Sequence, residues 1–201
     1  DLSGHTSGGR MGVFARRPEP VQESWIGYFA TTGLAQIDRI VADERLLPPG
    51  EADQYSERPL WLPDSYVTFA APDEAPSTVP PPMLERGHAT FGCFNNAAKL
   101  GPAVIALWAR VLTALPDARL ALRTGAFGDR GTVERFRQMF REAGVDPRRL
   151  AFAGHGPRSS LLAAYNAIDI ALDPFPFNGG ITTVEALWMG VTVVTKKGDR
   201  Y

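Results

Sequence analysis

Residues 173–190 read Asp173-Pro-Phe-Pro-Phe-Asn178-Gly179-Gly180-Ile181-Thr182-Thr183-Val-Glu185-Ala-Leu-Trp-Met-Gly190, and they decide how the rest of the chain is read. Upstream, Ile168-Asp-Ile-Ala-Leu172 is a short apolar run of the kind that forms a buried strand. Downstream, Val191-Thr-Val-Val-Thr195 is β-branched and reads as a second strand. Between them the pattern predicts a helix to about Met189, with Thr182 or Thr183 as its N-cap and Gly190 as its stop. Unpaired N–H groups at such a helix start favour an anion, and Gly179 and Gly180 let a phosphate approach the backbone. Glu185 follows about one turn later, where a carboxylate can accept hydrogen bonds from ribose hydroxyls. The unit reads as a donor site for a nucleotide sugar, although a Gly-Gly before a helix also serves tight strand–helix packing. It is neither the dinucleotide fingerprint G-x-G-x-x-G nor a P-loop, because no Gly-Lys-Ser/Thr follows.

Working backwards, the chain is regular from residue 89. Strands are predicted at Thr90–Asn95, Arg119–Arg123 and Leu150–Ala153, and helices at Pro102–Leu115, Thr132–Ala143 and Ser159–Ala167. Val104, Leu107, Val111, Leu112 and Leu115 are placed on one side of the first helix. Strict alternation argues for a parallel doubly wound sheet, whose ligands bind beyond the carboxyl ends of the strands. Residues 71–88 are rich in proline and read as a linker or surface connection between two lobes. Residues 1–70 form an earlier lobe: a glycine-rich loop over 4–12, strands near Val21–Ile26, Ile37–Ala42 and Pro59–Pro63, and a short helix at Glu51–Glu57. The abrupt ends suggest a piece of a longer protein, with the first lobe partial and the second (89–201) incomplete.

Composition bounds the function. A formal net charge of −1 over 201 residues gives no electrostatic case for nucleic acid or an anionic membrane surface. No apolar run approaches the ~20 residues of a membrane span, and no signal peptide opens the chain, so a cytoplasmic location is expected. Cys93 is the single cysteine and reads as a buried strand residue. No Asp-x-Asp is present to hold a divalent ion on a diphosphate, so no metal is expected and phosphate charge falls to lysine and a helix start.

The predicted loops supply candidates. Lys99, in Asn95-Asn96-Ala97-Ala98-Lys99, can reach a diphosphate held at the Gly180 helix start and offset its charge as it leaves. A solvated surface lysine is the alternative. Gly154-His155-Gly156-Pro157-Arg158 offers backbone hydrogen bonds to a base, with Arg158 able to stack or meet a ribose. In the first lobe Arg10 can contact a phosphate or an acceptor, and His5 can act as general base or serve as a hydrogen-bonded loop residue.

The sequence resembles the catalytic region of the O-linked N-acetylglucosamine transferases and SPINDLY-type proteins, particularly their bacterial members. Gly4-His5-Thr6 with Arg10, Phe14-Ala15-Arg16-Arg17-Pro18, Trp25-Ile26-Gly27-Tyr28, Gln54-Tyr55-Ser56-Glu57, Phe94-Asn95-Asn96 with Lys99, Asp173 with Asn178-Gly179, and Thr182 with Leu187-Trp188-Met189-Gly190 carry it in order. The resemblance implies a GT-B fold of two Rossmann-like lobes with parallel sheets. It also implies metal-independent, inverting transfer of a sugar, first of all N-acetylglucosamine from UDP-GlcNAc, to Ser or Thr of proteins. Upstream TPR repeats are implied as well. By position, Lys99 contacts the donor diphosphate and Asn96 the donor. Gly180, Ile181 and Thr182 hold the phosphates, Glu185 holds the ribose, and Gly156 and Arg158 frame the base. Arg10 and Ile26 face the sugar. Ile181 stands in place of a threonine, Glu185 in place of an aspartate, Phe29-Ala30 in place of Pro-Gly, Thr192 where many members have proline, and Leu161 where animal enzymes have a histidine. A rival keeps the fold with GDP-fucose as donor, and a different class is a non-catalytic nucleotide-binding module. Residues 1–201 alone are expected to be inactive.

Overall fold

The computed structural model describes residues 1–70, 72–73 and 75–198, which form two compact units that divide after Ala70. Positions 71 and 74 of the predicted linker and 199–201 of the predicted second lobe lie outside the described residues.

The first unit carries helix α1 (Met11–Phe14) and strands β1 (Glu23–Ser24), β2 (Arg39–Ala42) and β3 (Arg58–Trp61), paired in parallel in the order β1-β2-β3. Ile40, Ala42 and Leu47 form its buried centre. The strand predicted over Val21–Ile26 shrinks to two residues because the chain turns sharply at Ile26, and Gly27 N–H bonds back to Trp25 O. The helix predicted at Glu51–Glu57 is a 3₁₀ turn over Pro49–Gln54, with extended backbone at Tyr55. Glu57 is drawn away from it: its carboxylate accepts from Thr31 Oγ1 at 2.7 Å, from Thr32 N–H at 2.7 Å and from the Thr32 hydroxyl.

The second unit begins with helix α2 (Met83–Arg86) and continues β4 (Thr90–Cys93), α3 (Pro102–Ala114), β5 (Arg119–Arg123), α4 (Arg130–Glu142), β6 (Leu150–Ala153), α5 (Arg158–Tyr165), β7 (Ile170–Leu172), α6 (Ile181–Trp188) and β8 (Thr192–Val194). All five strands are parallel, in the order β6-β5-β4-β7-β8. Central β4 is buried along its whole length, as a strand covered on both faces must be. One core joins Phe91, Leu120 and Leu122 to α3 and to Phe136 and Phe140 of α4. The other joins Phe94 and Ile168 to Leu162 and Tyr165 of α5 and to Ala186 of α6. The strand order reverses between β4 and β7, so the loops leaving these two neighbours open the crevice where doubly wound sheets bind ligands.

One detail of the second unit differs from the sequence reading. On α3 the buried positions are Val104, Ile105, Trp108, Ala109 and Leu112, a stripe stepping by three and four residues. Leu115 has left the helix as its C-cap and is 46% exposed. The proline-rich segment does not run free: Asn166 Nδ2 donates to Ser77 O at 2.9 Å, and Met83 N–H donates to Asp169 Oδ1 at 2.7 Å. Those bonds, with Ala75 packed against the second core, hold it to the second unit.

Leu112→Ala is expected to cost about 2–5 kcal/mol in chemical denaturation, and Leu115→Ala no more than about 0.5 kcal/mol. Equal losses would put the helix face wrongly.

Candidate functional site

Asp173, at the end of β7, is 7% exposed and organises the glycine loop. Its Oδ1 accepts from Gly179 N–H at 2.7 Å, and its Oδ2 accepts from Asn178 Nδ2 and Thr195 Oγ1, both at 2.8 Å. A Cβ on Gly179 would lie 2.6 Å from Thr183 Oγ1 and 2.9 Å from Asp173 Oδ1, so a side chain here would displace the groups that hold the loop. Gly180 differs: a Cβ there would meet nothing within 4 Å, and open space lies above it.

Gly180 is the N-cap of α6 and makes no side-chain cap. Neither Thr182 nor Thr183 caps the helix as the sequence suggested. Thr183 Oγ1 donates to Gly179 O at 3.1 Å, and Thr182 Oγ1 donates to Asn95 Oδ1 at 3.1 Å. The first N–H groups of α6 are therefore not covered by a capping side chain, and they form the positive end of the helix dipole.

The same Asn95 oxygen accepts from Lys99 Nζ at 3.2 Å. Lys99 and the α6 start are thus joined through one atom across the β4–β7 reversal. Lys99 Nζ also donates to Asn178 O at 2.7 Å and lies 4.3 Å from the centre of the Phe177 ring. Half-burial pulls its pKa below the ordinary lysine value, and the Asp173 carboxylate works against that pull. Tyr165 supports the helix start from beneath: its hydroxyl donates to Thr182 O at 2.9 Å, and burial, with Glu185 nearby, raises its pKa. Cys93, below Asn95, is buried with its thiol pushed up to about 12 by desolvation, so it is inert as a nucleophile at neutral pH.

Beside this crevice is a cavity of about 360 Å³ lined by Phe94, Arg123, Gly156, Arg158, Leu161 and Glu185 among others. Glu185 is 3% exposed, yet its Oε2 has no hydrogen-bond partner, and its Oε1 lies 3.5 Å from an Arg158 Nη2 whose side chain is 60% exposed. Desolvation raises the Glu185 pKa and Arg158 lowers it only in part. A buried carboxylate oxygen without a donor is costly, and a ligand hydroxyl would satisfy it. Arg123 Nη2 donates to Ser160 Oγ at 2.8 Å, and a Cβ on Gly156 would approach that nitrogen to 2.9 Å, so Gly156 keeps the cavity wall thin.

Asn96 behaves differently from Asn95. Its side chain accepts from Ala98 N–H at 3.0 Å as the cap of the turn before Lys99, and it is exposed. Asn95 and Asp173 entered the sequence reading only within the motifs that carry the resemblance, and Tyr165 and Arg123 were given no role there. The available signal was the Asn-Asn pair at the end of β4, where one side chain must turn inward.

His5, Arg10 and Ile26 lie in the first unit. His5 Nε2 is 2.8 Å from Thr32 O, which makes it the protonated nitrogen and leaves Nδ1 as the acceptor. Its ring meets Tyr28 edge-on at 5.5 Å. Ile26 has φ +61°, a strained conformation for a β-branched residue. Gly27 is obligatory beside it, because a Cβ there would lie 1.8 Å from Leu2 O. Arg10 is an exposed helix N-cap without a side-chain cap bond. Among the described residues no three His, Cys, Asp or Glu side chains gather into a set able to hold a metal, and no helix is long and apolar enough to cross a membrane.

The family model for glycosyl transferase family 41 matches residues 1–72 and 83–200. The chain belongs to glycosyl transferase family 41. Among relatives of this family 41 chain, a probable UDP-N-acetylglucosamine–peptide N-acetylglucosaminyltransferase SPINDLY of Petunia hybrida is 40% identical over 99% of this chain. A probable enzyme of the same description, SEC of Arabidopsis thaliana, is 31% identical over 97%. The chain spans 22% of the length of the first and 20% of the second. A solved structure of a Thermobaculum terrenum O-GlcNAc transferase mutant matches all of this chain and 38% of its own, with a TM-score of 0.93 at 42% identity. The architecture is the α/β, parallel-sheet fold of GT-B catalytic regions.

The buried Glu185 carboxylate gives this family 41 chain a pH signature. A folded pKa raised above the ordinary 4.5 means a contribution to stability that is present at acid pH and lost as pH rises through the folded value. Glu185→Gln is expected to melt above wild type at neutral pH, with the two midpoints converging near pH 4.5. Parallel curves across that range would show that Glu185 is not strained by burial.

Proposed function

We propose that this chain is the donor-binding part of a glycosyltransferase that moves N-acetylglucosamine from UDP-GlcNAc to Ser or Thr hydroxyls of a protein, with inversion and without a metal. The observation that carries the reading is the Asn95 oxygen shared by Lys99 Nζ and Thr182 Oγ1. It sets a cation beside uncapped helix N–H groups, where a diphosphate needs both. The orphaned Glu185 oxygen supports a ribose in the adjoining cavity, with Gly156 and Arg158 framing the base. The names of the relatives above, which specify a UDP-sugar donor and a peptide acceptor, support the choice of substrates.

In the proposed reaction the acceptor hydroxyl oxygen forms a bond to the anomeric carbon from the face opposite the diphosphate. The anomeric carbon–oxygen bond breaks, and its electron pair leaves with the diphosphate. Gly180, Ile181 and Thr182 N–H groups and the Lys99 ammonium take up the charge that develops there. In the first unit, the roles of His5 and of Arg10 toward a phosphate or acceptor rest on their side-chain chemistry, and only the placing of Arg10 and Ile26 toward the sugar rests on the family resemblance. His5 accepts the hydroxyl proton at Nδ1, Arg10 serves a phosphate or the acceptor, and Ile26 faces the sugar. Upstream TPR repeats that present the acceptor, and a cytoplasmic setting, belong to the same proposal.

In the full-length protein Lys99→Ala is expected to lower sugar transfer about 10²–10³-fold while leaving the melting midpoint nearly unchanged. Unaltered turnover would remove Lys99 from the mechanism. Calorimetric titration is expected to show UDP binding, and tight GDP binding without UDP binding would overturn the base assignment in favour of a GDP-sugar donor.

A further inference from the structure

Of the 21 basic residues in the chain only three are lysines, Lys99, Lys196 and Lys197, and all three border the Phe175-Pro176-Phe177 loop. Lys99 Nζ lies over the Phe177 ring, and Lys196 Nζ lies 4.5 Å from the centre of the Phe175 ring. Every ion pair among the described residues uses arginine, from Arg17–Asp38 to Arg158–Glu185, and none uses a lysine. Two of these charges, Lys99 and Lys196, are therefore placed by aromatic faces, and among the described residues no lysine is paired with a carboxylate. The sequence from Lys196 to Arg200 carries three cations against one carboxylate, so the local excess is positive although the chain as a whole is at −1.

Phe175 and Pro176 form a ridge between two hollows. One, of about 460 Å³, contains Lys99, Pro102 and Phe177. The other, of about 520 Å³, contains Lys196, Lys197 and Gly198. The first borders the proposed diphosphate. The second combines apolar walls with two ammonium groups that form no ion pair among the described residues, which suits a carboxylate carried next to an apolar side chain better than a bare phosphate. Thr195, the residue before Lys196, is tied to Asp173, so the cations sit on the same support as the glycine loop.

We propose that the Lys196–Lys197 hollow binds an acidic segment of the acceptor polypeptide, with Asp or Glu carboxylates on the ammonium groups and a neighbouring apolar side chain against Phe175 and Pro176. The inference rests on the transferase reading only in calling that polypeptide the acceptor. It makes acidic, apolar-flanked Ser/Thr sequences the preferred substrates.

The test is fluorescence anisotropy with the full-length protein and two labelled peptides. Each has a central Ser between apolar residues, with flanking Glu in one and Gln in the other. The Glu peptide is expected to bind about tenfold tighter at low salt and to lose that advantage as salt rises. Lys196→Glu/Lys197→Glu is expected to abolish the preference while the affinities for the Gln peptide and for UDP, and the melting midpoint, stay unchanged. Lys196→Ala/Lys197→Ala serves as the milder variant and should lower the preference in the same direction. Equal binding of the two peptides by the wild type, or a preference that survives charge reversal, would overturn the proposal. So would a loss of UDP affinity in both variants, which would give these lysines to the donor. If the wild type binds no nucleotide but keeps the peptide preference, the donor reading fails and the acidic-peptide surface stands.

Discussion

A buried carboxylate that faces no arginine must be neutralised by N–H and O–H donors, and at the end of β7 that requirement shapes the whole crevice. Asp173 draws in Gly179 N–H, Asn178 Nδ2 and the Thr195 hydroxyl, three donors from the segment following β7 and from the end of β8. The bonds fold the Pro-Phe-Pro-Phe-Asn-Gly-Gly stretch back on itself and aim the start of α6 at the crevice. Asp173 also favours the charged form of Lys99, against the burial that disfavours it. The loop, the helix start and the cation therefore depend on one acid.

The second link is Asn95. It is buried at 7% exposure, and its amide oxygen takes both Lys99 Nζ and Thr182 Oγ1. Because β4 and β7 are neighbours at the reversal of strand order, the loops that leave them approach each other without any long excursion. Satisfied polar groups here sit next to an unsatisfied one. Glu185 keeps an oxygen without a partner inside a cavity, an arrangement that lowers stability and makes sense where a ligand completes the bonding.

The first unit uses the same device. Burial pushes the Glu57 carboxyl upward, but bonds from Thr32 and Thr31 outweigh it and hold the pKa below the ordinary value. Glu57 thereby fixes the loop whose Thr32 carbonyl sets the tautomer of His5. Ile26, with φ +61°, is stored strain beside that loop, and such strain gathers at functional sites.

What the sequence determined by itself was periodic and local. The alternation of β-branched runs with amphipathic helices gave the parallel sheet, and Pro102, Gly144 and Gly190 marked element ends close to where they occur, because local sterics and hydrogen bonding act within a few residues. The glycine pair ahead of α6 and the position of Lys99 in the loop after β4 were legible for the same reason. The sequence could not say which of Asn95 and Asn96 turns inward, since both end the same strand and only the packing of α6 against β4 separates them. Nor could it show that Thr182 serves Asn95 instead of the helix cap, that Leu115 leaves the α3 face, or that Lys196 joins Lys99 beside Phe175-Pro176-Phe177. Those outcomes depend on groups from about twenty to ninety positions apart competing for the same donors and the same apolar surface, and only the assembled sheet decides which of them meet.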